Sequence, residues 1–222
     1  MSLPTHHPGD ALLMDYAGGC LPEPAALVLA THMALCPGCR HAVAELETVG
    51  GALLEELEPD PVSACCRDAV FARLDEAADP MPTRKASLRP RNEDRANGTP
   101  LLPQPLRRYV GDLERLRWRT KLPGIQIVDL PLSGGSARLV RMRGGAAAPR
   151  HSHEGMELAV ILAGGFSDSL GHFLRGDVAI GDDNVDHKPV ADPEGCLCLS
   201  VTLGRLRLTG PLGRLIDPFV TL

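Results

Sequence analysis

At 222 residues the chain has room for one large domain or two small ones. Hydrophobic residues make up 44 % but aromatics only 3 %, so a core must be built from Leu, Val and Ala. The formal charge of −5 is unevenly spread: three basic against thirteen acidic side chains in residues 1–79, seven against two in 80–108, and thirteen of each in 109–222. An acidic first piece argues against nucleic-acid binding, which rests on neutralising phosphates, and suits a basic protein partner. No apolar run approaches the ~18 residues of a membrane span. The opening MSLPTHHPGD lacks the features of a signal peptide, so the expectation is a cytoplasmic protein. Seven cysteines fit a reducing compartment, where a C-x-x-C, a vicinal pair and a C-x-C favour metal or redox chemistry over structural disulfides.

The first piece reads as four helices. GDALLMDYAGG gives a short one with Asp10 as N-cap and glycines as its stop; PEPAALVLATHMALC gives a second, opened by proline. PGCRHAVAELETVGGALLEEL supplies a third, and PVSACCRDAVFARLDEAA a fourth, opened by Pro61 and amphipathic through Val70, Phe71 and Leu74. Cys65 and Cys66 on it are expected to pack in the helix interface. The Pro- and Arg-rich residues 81–105 read as an extended linker. After it come short apolar runs cut by glycine: IQIVDL, ARLVRM, ELAVILAG, GDVAI and CLCLSVTL, with further candidates at RLRLTG and near the C-terminus. They predict an all-β barrel or sandwich. DLERLRWRT reads as an entry segment to it. The fold class is therefore multidomain α and β: a small four-helix unit over residues 1–80, then an antiparallel β-barrel or sandwich over 106–222.

Two constellations carry chemistry. In THMALCPGCRH, His32 and Cys36 are four apart and share a helix face, and Cys39 follows at the start of the next helix, where the positive helix end favours a thiolate. Three such donors at a helix corner suit tetrahedral zinc, which needs a fourth. His41 follows Cys39 too closely and Cys20 is remote, so spacing leaves His6 and His7 as equal candidates. Further on, His151 and His153 alternate on a strand and share a face, with Glu157 following a turn or bulge at Gly155. Two imidazoles and a carboxylate can bind zinc, iron or manganese. Cys196 and Cys198 lie on one face of a later strand and form a candidate redox pair, set against ordinary packing.

HHPGDALLMDYAGG and LVLATHMALCPGCR together resemble the zinc-binding domain of ChrR-type anti-sigma factors, over roughly residues 5–80. That resemblance implies His7 as the fourth zinc ligand beside His32, Cys36 and Cys39. The run from Gly145 through His151, His153 and Glu157 to Gly164 resembles the first cupin motif. The second would start at Gly176 and supply His187, with Asp182, Asn184 and Ala191 departing from its usual residues. The expectation is a cupin-like site of His151, His153, Glu157 and His187 holding zinc, or else iron or manganese. The whole order of parts resembles a ChrR-type zinc anti-sigma factor. It implies a one-to-one complex with an extracytoplasmic-function (ECF) sigma factor, release under singlet oxygen or organic peroxide, and no catalysis. The competing expectation is a metal-dependent cupin enzyme, a dioxygenase or isomerase, with a regulatory helical attachment.

Overall fold

The computed structural model describes residues 3–63, 65–74 and 102–210. Helix α1 (Asp10–Ala17) starts after Gly9, so Asp10 is its first residue rather than its cap, and its carboxylate still favours the positive helix end. Helix α2 (Glu23–Met33) is opened by Pro22, with Pro24 in its first turn where no amide hydrogen is needed. Helix α3 (Pro37–Glu55) follows, again starting on proline. Helix α4 (Cys66–Leu74) begins well after Pro61 and buries none of its side chains. Cys65 and Cys66 are exposed there rather than packed inside a helix interface. None of the described helices is long and apolar enough to cross a membrane.

Most of the expected linker lies outside the described residues, but its end is helical. Helix α5 (Gln104–Val110) is capped by Pro103 and buries Leu106 and Val110. A short 3-10 turn (Leu113–Arg115) then leads into seven strands: β1 (Arg119–Leu122), β2 (Ile125–Asp129), β3 (Ser136–Met142), β4 (His151–Asp168), β5 (Gly171–Leu174), β6 (Val178–Gly181) and β7 (Val190–Leu208). They form one antiparallel sheet in the order β1-β2-β3-β7-β4-β5, with β6 also on β4. ELAVILAG lies inside the long β4. CLCLSVTL and RLRLTG merge into the equally long β7. The strand expected near the C-terminus lies outside the described residues.

The long apolar runs have a simple cause, because both faces of the sheet are covered. On β4 the even positions Leu158, Val160 and Leu162 join β7's Leu197, Leu199 and Val201 in a core shared with Leu27, Val28 and Leu29 of α2 and Leu106 of α5. The odd positions Ala159 and Ile161 face the other way, with Met142, Phe166, Cys196 and Cys198, and fill the interior of the sheet. Residues up to Gly50 and from Leu102 onward therefore form one compact unit, and Gly51–Leu101 another. Compactness divides the chain at different places from the sequence segments.

Candidate metal centres

The first cluster is built at the α2–α3 corner. Amides of Leu35 and Cys36 both donate to the His32 carbonyl at 2.8 Å, extending the last turn of α2 so that Cys36 comes round beneath His32. Cys36 sits immediately before α3, and its Sγ accepts the Cys39 amide at 3.5 Å. The sulfur touched by the helix's free amide is thus that of Cys36, while Cys39 lies in the first turn of α3 as expected. His7 closes the group, with Nδ1 3.5 Å from Cys36 Sγ and 3.4 Å from Cys39 Sγ. The four donor atoms lie within 4.8 Å of one another.

His6 and His7, which spacing left tied, lie in different surroundings. His6 turns away: its Nδ1 lies 3.3 Å from Asp177 Oδ2 and its ring rests 4.5 Å from that of Phe173. His41 and Cys20 are outside the group; His41 pairs with Glu45 at 3.5 Å on an exposed face.

Chemistry and geometry both fit a tetrahedral ion. With metal–sulfur bonds near 2.3 Å and metal–nitrogen bonds near 2.05 Å, a tetrahedral N–S edge is about 3.6 Å, close to both observed spacings. His32 is fully buried and bonds through Nδ1 to the Gly176 carbonyl at 2.6 Å. That bond places the ring proton on Nδ1 and leaves Nε2 bearing a lone pair, and Nε2 has no hydrogen-bond partner. Burial also pushes the His32 pKa down, keeping the ring neutral. Burial and the neighbouring Cys36 push the Cys39 thiol up to about 12, so a cation is needed to hold its thiolate.

The second cluster lies inside the barrel. His151, His153 and Glu157 share the odd-numbered face of β4, which runs on without a turn. The expected break at Gly155 is instead a glycine within the ladder, at φ +109, paired with Gly204. A Cβ there would lie 2.2 Å from the Leu203 carbonyl oxygen, so glycine permits the close strand crossing that keeps the three donors aligned. His187 is added by a bridge to His151, with two amide–carbonyl bonds of 3.0 Å. The donor atoms of all four again lie within 4.8 Å.

Nε2 of His187 and His151 are 3.0 Å apart, and His153 Nε2 lies 2.9 Å from Glu157 Oε2. His151 and His187 are 3.8 and 3.9 Å from the same oxygen. These edges bracket the about 3.4 Å of a tetrahedron of nitrogen and oxygen donors at about 2.1 Å. His151 Nδ1 is tied to the Pro149 carbonyl and His187 Nδ1 to Asp168, each at 2.7 Å, so both rings aim Nε2 inward. Burial raises the Glu157 pKa, but hydrogen bonds and charge from His151 and His153 outweigh it and hold the carboxyl well below the usual range. Ser200 Oγ donates to Glu157 Oε1 at 2.8 Å.

Beside these donors is a mostly apolar cavity of about 160 Å³, lined by Ile125, Val140, Met142, Phe166 and Cys198 among others. Cys196 and Cys198 are both buried on the interior face of β7. Their mutual hydrogen bond and burial push the Cys198 thiol well above its ordinary range. The sequence pattern missed the roles of Asp168, Ser200, Gly176 and Asp177, which hold the donors or their neighbours. Gly176 entered only as the start of a motif and Asp177 only within the run GDVAI, and the partners of all four are distant in sequence.

Comparison with known proteins gives matches to the barrel segment and to the chain as a whole. Residues 106–207 match the family model of the ChrR cupin-like domain. The chain is 41 % identical over 218 residues to the anti-sigma-E factor ChrR of Cereibacter sphaeroides, covering 96 % of this chain and 97 % of that protein. The crystal structure of Rhodobacter sphaeroides SigE in complex with the anti-sigma ChrR matches at a TM-score of 0.73 and 39 % identity, over 89 % of this chain and 98 % of that one.

Proposed function

The chain belongs to the family of ChrR anti-sigma factors, and on that premise we propose that it is a cytoplasmic anti-sigma factor that holds an ECF sigma factor in a one-to-one complex away from core RNA polymerase. In this reading its functional segments are residues 1–80, which bind the sigma factor, 81–105, which tether, and 106–222, which sense. It acts as a regulator rather than a dioxygenase or isomerase, and it binds neither nucleic acid nor membrane.

The observation that carries the proposal is a run of uncovered apolar side chains. Leu53 and Leu54 of α3 and Val70, Phe71 and Leu74 of α4 are all more than half exposed, and Leu53 and Leu54 reach 60 % and 70 %. Such residues on an acidic piece suit a partner offering basic and apolar surface together.

His7, His32, Cys36 and Cys39 would hold zinc as a structural pin, fixing the α2–α3 corner from which α3 projects. His151, His153, Glu157 and His187 would hold a second ion, zinc in our reading, with iron or manganese as the other fits. Such an ion supplies Lewis acidity at the cavity wall. The chain's own residues supply the rest: Asp168 and Pro149 orient two imidazoles, Ser200 orients Glu157, and the apolar lining admits a small molecule. Release would follow singlet oxygen or an organic peroxide, with Cys196 and Cys198 as redox partners next to the cavity.

Co-purification of the full chain with a candidate ECF sigma factor, with metal counted per chain, tests this. A stable equimolar complex carrying zinc supports it. Failure to capture sigma, with redox-active iron or manganese in the barrel, would instead point to a cupin enzyme.

A further inference from the structure

We propose that the barrel positions the helical donor set, with Asp177 as the positioning residue. Asp177 lies in the turn between β5 and β6, and its side chain is only 2 % exposed. One carboxylate oxygen, Oδ1, accepts the amides of Thr5 at 2.7 Å and His6 at 3.0 Å. The other, Oδ2, accepts the amide of Leu174 at 2.8 Å and faces the His6 ring. The amide of Val178 donates to the His6 carbonyl at 3.1 Å. His6 is therefore held through its N–H, its C=O and its ring, and the next residue is His7.

The same turn reaches the donor set a second time. The Gly176 carbonyl takes the Nδ1 proton of His32, as described above. Gly176 itself has φ +96, and a Cβ there would meet Pro4 Cγ at 2.7 Å. Only glycine lets the N-terminal segment lie this close while its carbonyl points at His32. Two of the four donors, His7 and His32, are thus placed by neighbouring barrel residues. Cys36 and Cys39 are placed by the helices alone.

Asp177 touches none of the donor atoms, so it acts on them through residues 5–7 and through the turn it ties at Leu174, which carries the Gly176 carbonyl. This inference rests on the proposed metal role of His7, His32, Cys36 and Cys39, and it requires no sigma factor.

The test is a Co²⁺ titration of the metal-free full chain. The thiolate-to-cobalt charge-transfer absorption reports the helical set alone, since the barrel donors include no sulfur. Asp177→Ala is expected to weaken Co²⁺ binding there about 10- to 100-fold, the usual effect of losing a group that orients a ligand. Asp177→Asn keeps a carbonyl oxygen for the Thr5 and His6 amides and should recover part of that loss. A purely structural role for Asp177 would lower the melting temperature and leave the affinity, measured well below it, unchanged.

If Asp177→Ala fails to fold, His6→Ala decides. It removes a ring that is 37 % exposed and keeps every backbone bond, and a several-fold loss is expected. Wild-type affinity in the folded variants overturns the proposal. A wild-type chain without the charge-transfer absorption overturns the helical metal site along with it, whereas failure of sigma capture alone touches neither.

Discussion

His6 and His7 are consecutive, yet their rings serve different partners. One ring meets Asp177 and the other meets two sulfurs. Replacing Cys39 with Ser should cost about one zinc per chain and, with the corner unpinned, retention of the sigma factor; metal analysis and co-purification check both. Asp177 also sets an acid limit. Burial raises its pKa, but the amides of Leu174, His6 and Thr5 and the His6 ring outweigh that and hold it below the ordinary carboxyl value. The stability it adds is therefore present above about pH 4 and is lost as pH falls through the depressed value. Urea midpoints compared between about pH 5 and 2 should fall more steeply for the wild type than for Asp177→Asn. At this scale His32 and Cys36, and His151 and His153, were legible as candidates because their spacing is local, four residues along a helix and two along a strand, whereas His7 was chosen over His6, and His187 found, only through the resemblance. The roles of Asp168, Ser200 and Gly176 were not legible, because each meets its partner across a long sequence separation that no short motif records.

Among the elements, α3 divides into two regimes. Its first turns bury Cys39 and Val43, whereas Leu53 and Leu54 near its end stand in solvent. Changing both leucines to Asp should abolish sigma capture while zinc content and melting temperature stay as in wild type. Leu199 on β7 makes the contrast, being fully buried between sheet and helices. Leu199→Ala should cost about 2–5 kcal/mol in a denaturant titration, through lost transfer energy and the cavity left behind. The strands with long apolar runs were legible from sequence, because a face buried on each side leaves no polar alternation. Helix α5 was not: Pro103 and Pro105 read as breakers, but here they occupy its cap and first turn, where proline is well suited. Strand β5 escaped for another reason, since its few residues pair only with the end of β4.

Over the whole molecule, the two donor sets sit in one compact unit, and the stretch from Asp168 to Asp177 touches both. Asp168 grips His187 at one end and Gly176 reaches His32 at the other. His187→Ala should leave sigma capture intact and block release by peroxide, followed by the fraction of sigma freed on treatment. Loss of capture in that variant would count against the division of labour between helices and barrel. The order of parts was legible because charge and periodicity change sharply along the chain. Their shared core was not, because periodicity says that a face is buried and not what buries it.

The alternating commitment of β4 bears on how such a protein can be inherited. Its odd positions carry donors and barrel lining, and its even positions carry the floor on which α2 rests. A gene fusion that brought in foreign helices would have to match that floor side chain by side chain, or leave an oily sheet facing water. Barrel and helices are thus bound to drift together, and a chimera that exchanges one for a distant cousin's should refold poorly even where both parents are sound.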